Sequence, residues 1–172
     1  VKTNDGFYSF ITNHVDGTLT RNYFGNSLLN SPVSENLGSI GGINHLEGIQ
    51  VVEENGKWYG FVCGGIGNES SLIRIEFGNS PAGMPVYTNL GNIGELSYPI
   101  DLFMYKENYR WTGLTVNYTT NTLSRLIFSD GIENPPDGEN LGNPADLNKP
   151  CGLHALLENG NWLVFVTNFG SN

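Results

Sequence analysis

Positive charge is scarce in this chain: its 172 residues carry 8 Lys and Arg against 17 Asp and Glu, a formal net charge of −9. Cations this few and this scattered cannot build the basic stripe that tracks a phosphate backbone, which excludes nucleic acid as a partner. The same deficit disfavours docking on anionic lipid. Long apolar runs are missing too. None approaches the roughly 18 consecutive apolar residues of a membrane-spanning helix, so no membrane insertion is expected. Cysteine is limited to Cys63 and Cys151. Two thiols at non-equivalent places make no disulfide framework and are too few for a zinc site, so both are expected to be small, buried and unpaired. No segment sustains a 3.6-residue apolar period between helix caps, so no long helix is expected.

Several catalytic and binding motifs are absent as well. There is no Asp-x-Asp-x-Asp-Gly run for loop calcium and no Gly-x-Ser-x-Gly elbow. Cys63-Gly64-Gly65-Ile66-Gly67-Asn68 follows a strand signal but lacks the Lys and the following helix of a phosphate loop. No cofactor and no metal are therefore expected, and catalysis is not.

What the chain does have is 23 Gly, 9 Phe, 8 Tyr and 3 Trp. Turn formers together with aromatic and β-branched residues describe a turn-rich all-β protein. They are arranged in a repeat. Trp58, Trp111 and Trp162 stand 53 and 51 residues apart. Phe24-Gly25-Asn26-Ser27, Phe77-Gly78-Asn79-Ser80 and Phe128-Ser129-Asp130-Gly131 follow the same spacing, and so do Asn36-Leu37-Gly38, Asn89-Leu90-Gly91 and Asn140-Leu141-Gly142. Each unit holds four short strand signals, a to d, with Glu-Asn-Gly hairpin chemistry between a and b in two copies. A four-stranded unit of about 50 residues reads as the blade of a β-propeller. The expected fold class is all-β: propeller blades of four antiparallel strands with a period of 51–53 residues. Residues 1–42 supply strands b, c and d, residues 43–95 and 96–146 one complete blade each, and residues 147–172 strands a and b. That makes 13 strands, a partial propeller. A propeller needs about 4–8 blades, so the expectation is a piece of a longer repeat protein, with closure of a ring by several copies as the alternative.

The unit resembles the NHL-type propeller repeat. Gly48-Ile49-Gln50-Val51, Gly56, Trp58-Tyr59 and Ile73-Arg74-Ile75-Glu76-Phe77-Gly78 match that family's blade, and the third unit keeps Pro150-Cys151-Gly152-Leu153. The second departs from it at Pro99-Ile100-Asp101-Leu102. The Phe-Gly-Asn-Ser and Asn-Leu-Gly-x-Ile phrasing is also similar to repeats of large secreted or surface proteins of gliding, adhesive Bacteroidetes-type bacteria. The resemblance implies a propeller and an extracellular or cell-surface location. It does not imply one chemistry, because propellers host many.

Function is expected where the copies disagree. His45, Tyr98 and Lys149 occupy one loop column before strand a. Asp101 stands where the other units have Gly48 and Gly152, and His154 lies inside strand a in the column of Gln50 and Phe103. These five are the candidate ligand-binding residues. Tyr98, Tyr105, Tyr109 and Tyr118 add aromatic surface of the kind that contacts sugars or proteins. Glu53, Glu54, Glu107 and Glu158 recur in or beside the a–b turn and read as solvated hairpin residues. The expected function is a non-catalytic module of a secreted or cell-surface repeat protein. It would engage a protein or polysaccharide through loops on one propeller face, or further blades of its own parent, and self-associate in isolation. A carbohydrate-active propeller enzyme and a structural spacer are the alternatives.

Overall fold

The computed structural model describes residues 1–170. Apart from one short 3-10 turn at Gly67–Glu69, its regular structure is strand. Four antiparallel sheets follow one another along the chain. The first contains β1 (Tyr8–Asn13), β2 (Thr18–Tyr23) and β3 (Val33–Ser39). The second contains β4 (Leu46–Glu54), β5 (Lys57–Gly64), β6 (Ser71–Gly78) and β7 (Val86–Gly91). The third contains β8 (Pro99–Glu107), β9 (Arg110–Asn117), β10 (Thr122–Phe128) and β11 (Asp137–Asn140), and the fourth β12 (Pro150–Glu158) and β13 (Asn161–Asn168). Within each sheet the spatial order is the sequence order. The sheets are open, and no strand pairing joins one sheet to another among the described residues.

The first sheet holds more of a leading strand than the sequence count allows. Lys2 forms an antiparallel bridge to Phe7. The Val1 amino group donates to the Tyr8 carbonyl at 2.7 Å, and the Tyr8 amide donates back to Val1 at 2.9 Å. Glu53 faces Trp58 in the second sheet in the same way. Val1 and Lys2 thus lie antiparallel beside Phe7 and Tyr8, joined to them by the turn Thr3–Gly6.

The repeat markers have physical explanations. The two-residue turns between the first two strands of sheets two to four are Asn55-Gly56, Asn108-Tyr109 and Asn159-Gly160, and every one of these residues has φ between 47° and 79°. Two successive positive φ values define the type I′ turn, whose twist matches that of the strands it joins. In the Asn-Leu-Gly marker, the side-chain oxygens of Asn36, Asn89 and Asn140 each accept the amide of Gly38, Gly91 and Gly142 at 2.8 Å. The glycines sit at φ 84°, 80° and 70°, where a Cβ would be strained.

The core lies between sheets rather than within one. Leu19, Ile40, Leu46, Val62, Ile73 and Phe77 fill the space between the first and second. Phe61, Cys63, Leu72, Leu102, Leu126 and Phe128 fill that between the second and third, and Leu114, Val116, Leu123, Leu147 and Leu153 that between the third and fourth. Neighbouring residues Phe61 and Val62 face opposite sheets, as the period of two requires. This is why β5 reads as one continuous apolar run: both of its faces are covered.

The leading strands also touch directly. Gly48 is so close to β8 that a Cβ there would meet the Asp101 Cα at 2.7 Å. Gln50 makes a two-way bond with the Met104 backbone, its amide donating to the carbonyl at 3.1 Å and its oxygen accepting the N–H at 2.6 Å. At the far end of the same strands, Glu54 accepts from Lys106 at 2.6 Å and from the Trp111 indole at 3.0 Å. The Glu54 side chain is only 19% exposed. The reading of this residue as a solvated hairpin carboxylate is therefore corrected: it clamps two sheets together. The sequence Asn117-Tyr118-Thr119 has the form of a glycan acceptor, but Asn117 is fully buried and bonded to Ser97, Thr122 and Ser124.

Candidate functional site

The connections leading into β4, β8 and β12 share one design. A buried apolar anchor comes first: Ile43, Leu96 or Leu147. A polar residue follows, and then His45, Tyr98 or Lys149, at φ 56°, 50° and 50°. All three are held in the left-handed region by bonds on both sides of the residue. The carbonyls of His45, Tyr98 and Lys149 accept the amides of Gly65, Tyr118 and Phe169, at the end of the second strand of their own sheet, at 3.0, 3.1 and 2.9 Å. Their amides point to the preceding sheet and find a different acceptor each time: the His14 carbonyl at 2.7 Å, the Ser70 hydroxyl at 3.0 Å and the Asn121 side chain at 2.7 Å. Backbone geometry is constant here while the side chain varies.

The side chains thrown onto this rim meet in a chain that crosses the sheets. His45 Nδ1 lies 3.0 Å from His14 Nε2, with the rings edge to face at 4.7 Å between centroids. His14 Nδ1 is 2.8 Å from Glu47 Oε1, and the Tyr98 hydroxyl donates to the same oxygen at 2.9 Å. Tyr98 packs edge-on against Tyr118 at 5.6 Å. The Lys149 ammonium lies over the Tyr118 ring at 5.9 Å, and Phe169 lies 6.4 Å beyond it. Burial, and then the hydrogen bond and negative charge of Glu47, push the Tyr98 phenol up to about 12. It therefore stays a neutral donor at any physiological pH.

The loop column His45, Tyr98 and Lys149 is thus gathered on one rim. Asp101 and His154 are not part of it. The Asp101 carboxylate accepts the amide of Leu102 at 2.9 Å and that of Leu153 at 2.7 Å, tying β8 to β12. It substitutes for a backbone contact between adjacent sheets, a structural task. His154 is exposed, with its ring 5.0 Å from Phe103. Two members of the rim were not singled out from the sequence, His14 and Glu47, whereas Tyr118 was read there as contact surface. The signal for His14 and Glu47 is faint, since they reach the rim from different sheets.

The clefts lie elsewhere. The larger, about 450 Å³, opens at the hairpin end of the first two sheets between Lys2, Asp5, Glu53, Trp58 and Asn79. A smaller one of about 260 Å³ runs between β1 and β4, beside Tyr8, Phe10, Ile49 and Gln50. Neither reaches the His14–Glu47 pair. Among the described residues no group of three or more His, Cys, Asp and Glu is placed to hold a metal ion, and no helix is long and apolar enough to cross a membrane. Compared with known proteins, the chain matches no family model, no curated protein and no solved structure.

Proposed function

We propose that the chain is a non-catalytic binding module that engages its partner, a protein or a polysaccharide, through the rim of His45, Tyr98, Tyr118 and Lys149. The observation that carries this reading is the fixed left-handed scaffold on which His, Tyr and Lys alternate at one position. The backbone bonds hold the frame whichever residue stands there, so the three side chains are free to serve a partner. The exposed Phe169, with the Tyr118–Lys149 pair beside it, is the kind of aromatic and cationic surface that binds sugars or protein side chains. In this reading the four sheets are propeller blades with their leading strands innermost. The direct contacts of β4 with β8 and of β8 with β12 support that arrangement. The module belongs to a secreted or cell-surface repeat protein, which the low charge and high aromatic and Asn content support.

A glycan array and a cross-linking pulldown from the source organism's extracellular fraction test this together. The expected result is a ligand retained by the wild-type chain and lost, at least tenfold, by the pair Tyr118→Ala and Lys149→Ala. A hit unchanged by those substitutions moves the site away from the rim. No hit in either assay leaves a spacer.

A further inference from the structure

We propose that His14 and His45 form a two-imidazole site for a divalent transition-metal ion, copper(II) before zinc(II), at the junction of the first and second sheets. The two nitrogens that face each other, His14 Nε2 and His45 Nδ1, are 3.0 Å apart. Which of them carries the proton follows from the next contact. His14 Nδ1 lies 2.8 Å from a carboxylate oxygen of Glu47, so that nitrogen holds the hydrogen and Nε2 presents a lone pair. This is the arrangement of metal-ligating histidines, whose second nitrogen donates to a carboxylate that fixes tautomer and ring orientation. His45 Nδ1 donates to that lone pair in the absence of metal. No hydrogen bond among the described residues engages His45 Nε2, so the ring is free to exchange tautomers.

Metal binding then balances without a redox step. The proton on His45 Nδ1 leaves to water, and His45 Nε2 takes one up. Both imidazoles remain neutral, and the metal bonds to both lone pairs from beside the line that joins the two nitrogens. With metal–nitrogen bonds of about 2.0–2.1 Å, nitrogens 3.0 Å apart subtend about 95° at the metal. That is a cis angle of tetragonal copper(II). A tetrahedral zinc site would need the pair to open further. The protein supplies two ligands only, since no three-ligand group exists among the described residues. The His14 side chain is 43% exposed, which leaves room for water at the remaining positions. Glu47 offsets part of the added charge, and its bond from Tyr98 keeps the carboxylate in place.

The test is a copper(II) titration followed by electron paramagnetic resonance, in a Cys151→Ser background to remove the exposed thiol. The expected result is one saturating site with two equatorial nitrogens. His14→Gln and His45→Asn, each verified as folded by circular dichroism, should each lose that two-nitrogen signal. His154→Ala should keep it. Glu47→Gln should weaken binding about 10-fold, because outer-shell partners of ligating histidines contribute on that order. A signal that survives both histidine substitutions, or uptake that never saturates, overturns the proposal. Either outcome leaves the partner-binding reading standing, since array and pulldown are run without metal.

Discussion

Tyr98 shows how much of a residue's behaviour is decided by where a loop places it. Its phenol is pushed up to about 12 by burial and by Glu47, whereas a tyrosine in the unfolded chain titrates at about 10. The raised value means the folded protein holds this proton more tightly than the unfolded chain does. The resulting stabilisation is complete below about pH 10 and is lost as pH rises towards 12. Urea midpoints measured between pH 8 and 11.5 should therefore fall more steeply for the wild type than for Tyr98→Phe. Equal slopes would show that burial and Glu47 together do not hold the phenol protonated. Cys63 makes the complementary case. Burial, above all, pushes its thiol up to about 12, and a thiol that stays protonated is a poor nucleophile. Cys151 is exposed. A neutral-pH maleimide should label one thiol per native chain, at Cys151, and two once the chain is unfolded. Fast labelling of Cys63 in the native protein would mean that the second and third sheets part readily.

At the level of elements, the I′ turn of the third sheet departs from its two relatives. Tyr109 stands at φ 66° where the other turns have Gly, and it is 96% exposed. A left-handed conformation costs a non-glycine residue roughly 1–2 kcal/mol, partly offset by the greater chain entropy glycine loses. Tyr109→Gly should stabilise the chain by about 0.5–1 kcal/mol, read as a higher urea midpoint at unchanged slope. Destabilisation would show that the tyrosine ring makes a contact in solution that outweighs its strain. The strands and their grouping into sheets were legible in the chain because the markers of the period are the residues that geometry constrains most. Trp111 is fixed by an inter-sheet clamp, and Asn89-Leu90-Gly91 by a turn that needs an Asn acceptor and a positive φ. Much of the rim was legible for the converse reason: His45, Tyr98 and Lys149 vary inside an otherwise constant frame, and Tyr118 stands out as one of a cluster of aromatics. His14 and Glu47 were not, because their meeting is made by sheet-on-sheet packing across 33 positions of chain. Asp101 stood out in sequence as an acid among glycines. It proved to be engaged by backbone amides, which no spacing reveals.

The fourth sheet packs on the third and has no neighbour on its other face among the described residues. Leu156, Leu163 and Phe165 of the fourth sheet are 50%, 40% and 56% exposed, while their counterparts in the second sheet, Val52, Tyr59 and Phe61, are buried against the third. Apolar faces and unpaired strand edges of this kind drive association. Size-exclusion chromatography with light scattering should show residues 1–172 as oligomers that grow with concentration. Leu163→Thr with Phe165→Thr, which keeps β propensity, should shift the population to monomer. A monodisperse wild-type monomer would show that the open face is tolerated. The junction amides of His45, Tyr98 and Lys149 carry one more consequence. Each is satisfied by a carbonyl, a hydroxyl or a carboxamide of the preceding sheet, so the joint recognises the place of an acceptor and not its identity. Such a joint is permissive to drift: the residue it displays can change generation after generation while the frame stays put. Exchanging the displayed residues, His45→Tyr together with Tyr98→His, should leave the circular dichroism spectrum unchanged. The rim is then a panel of interchangeable letters, on which new specificities can be written without redesigning the protein beneath.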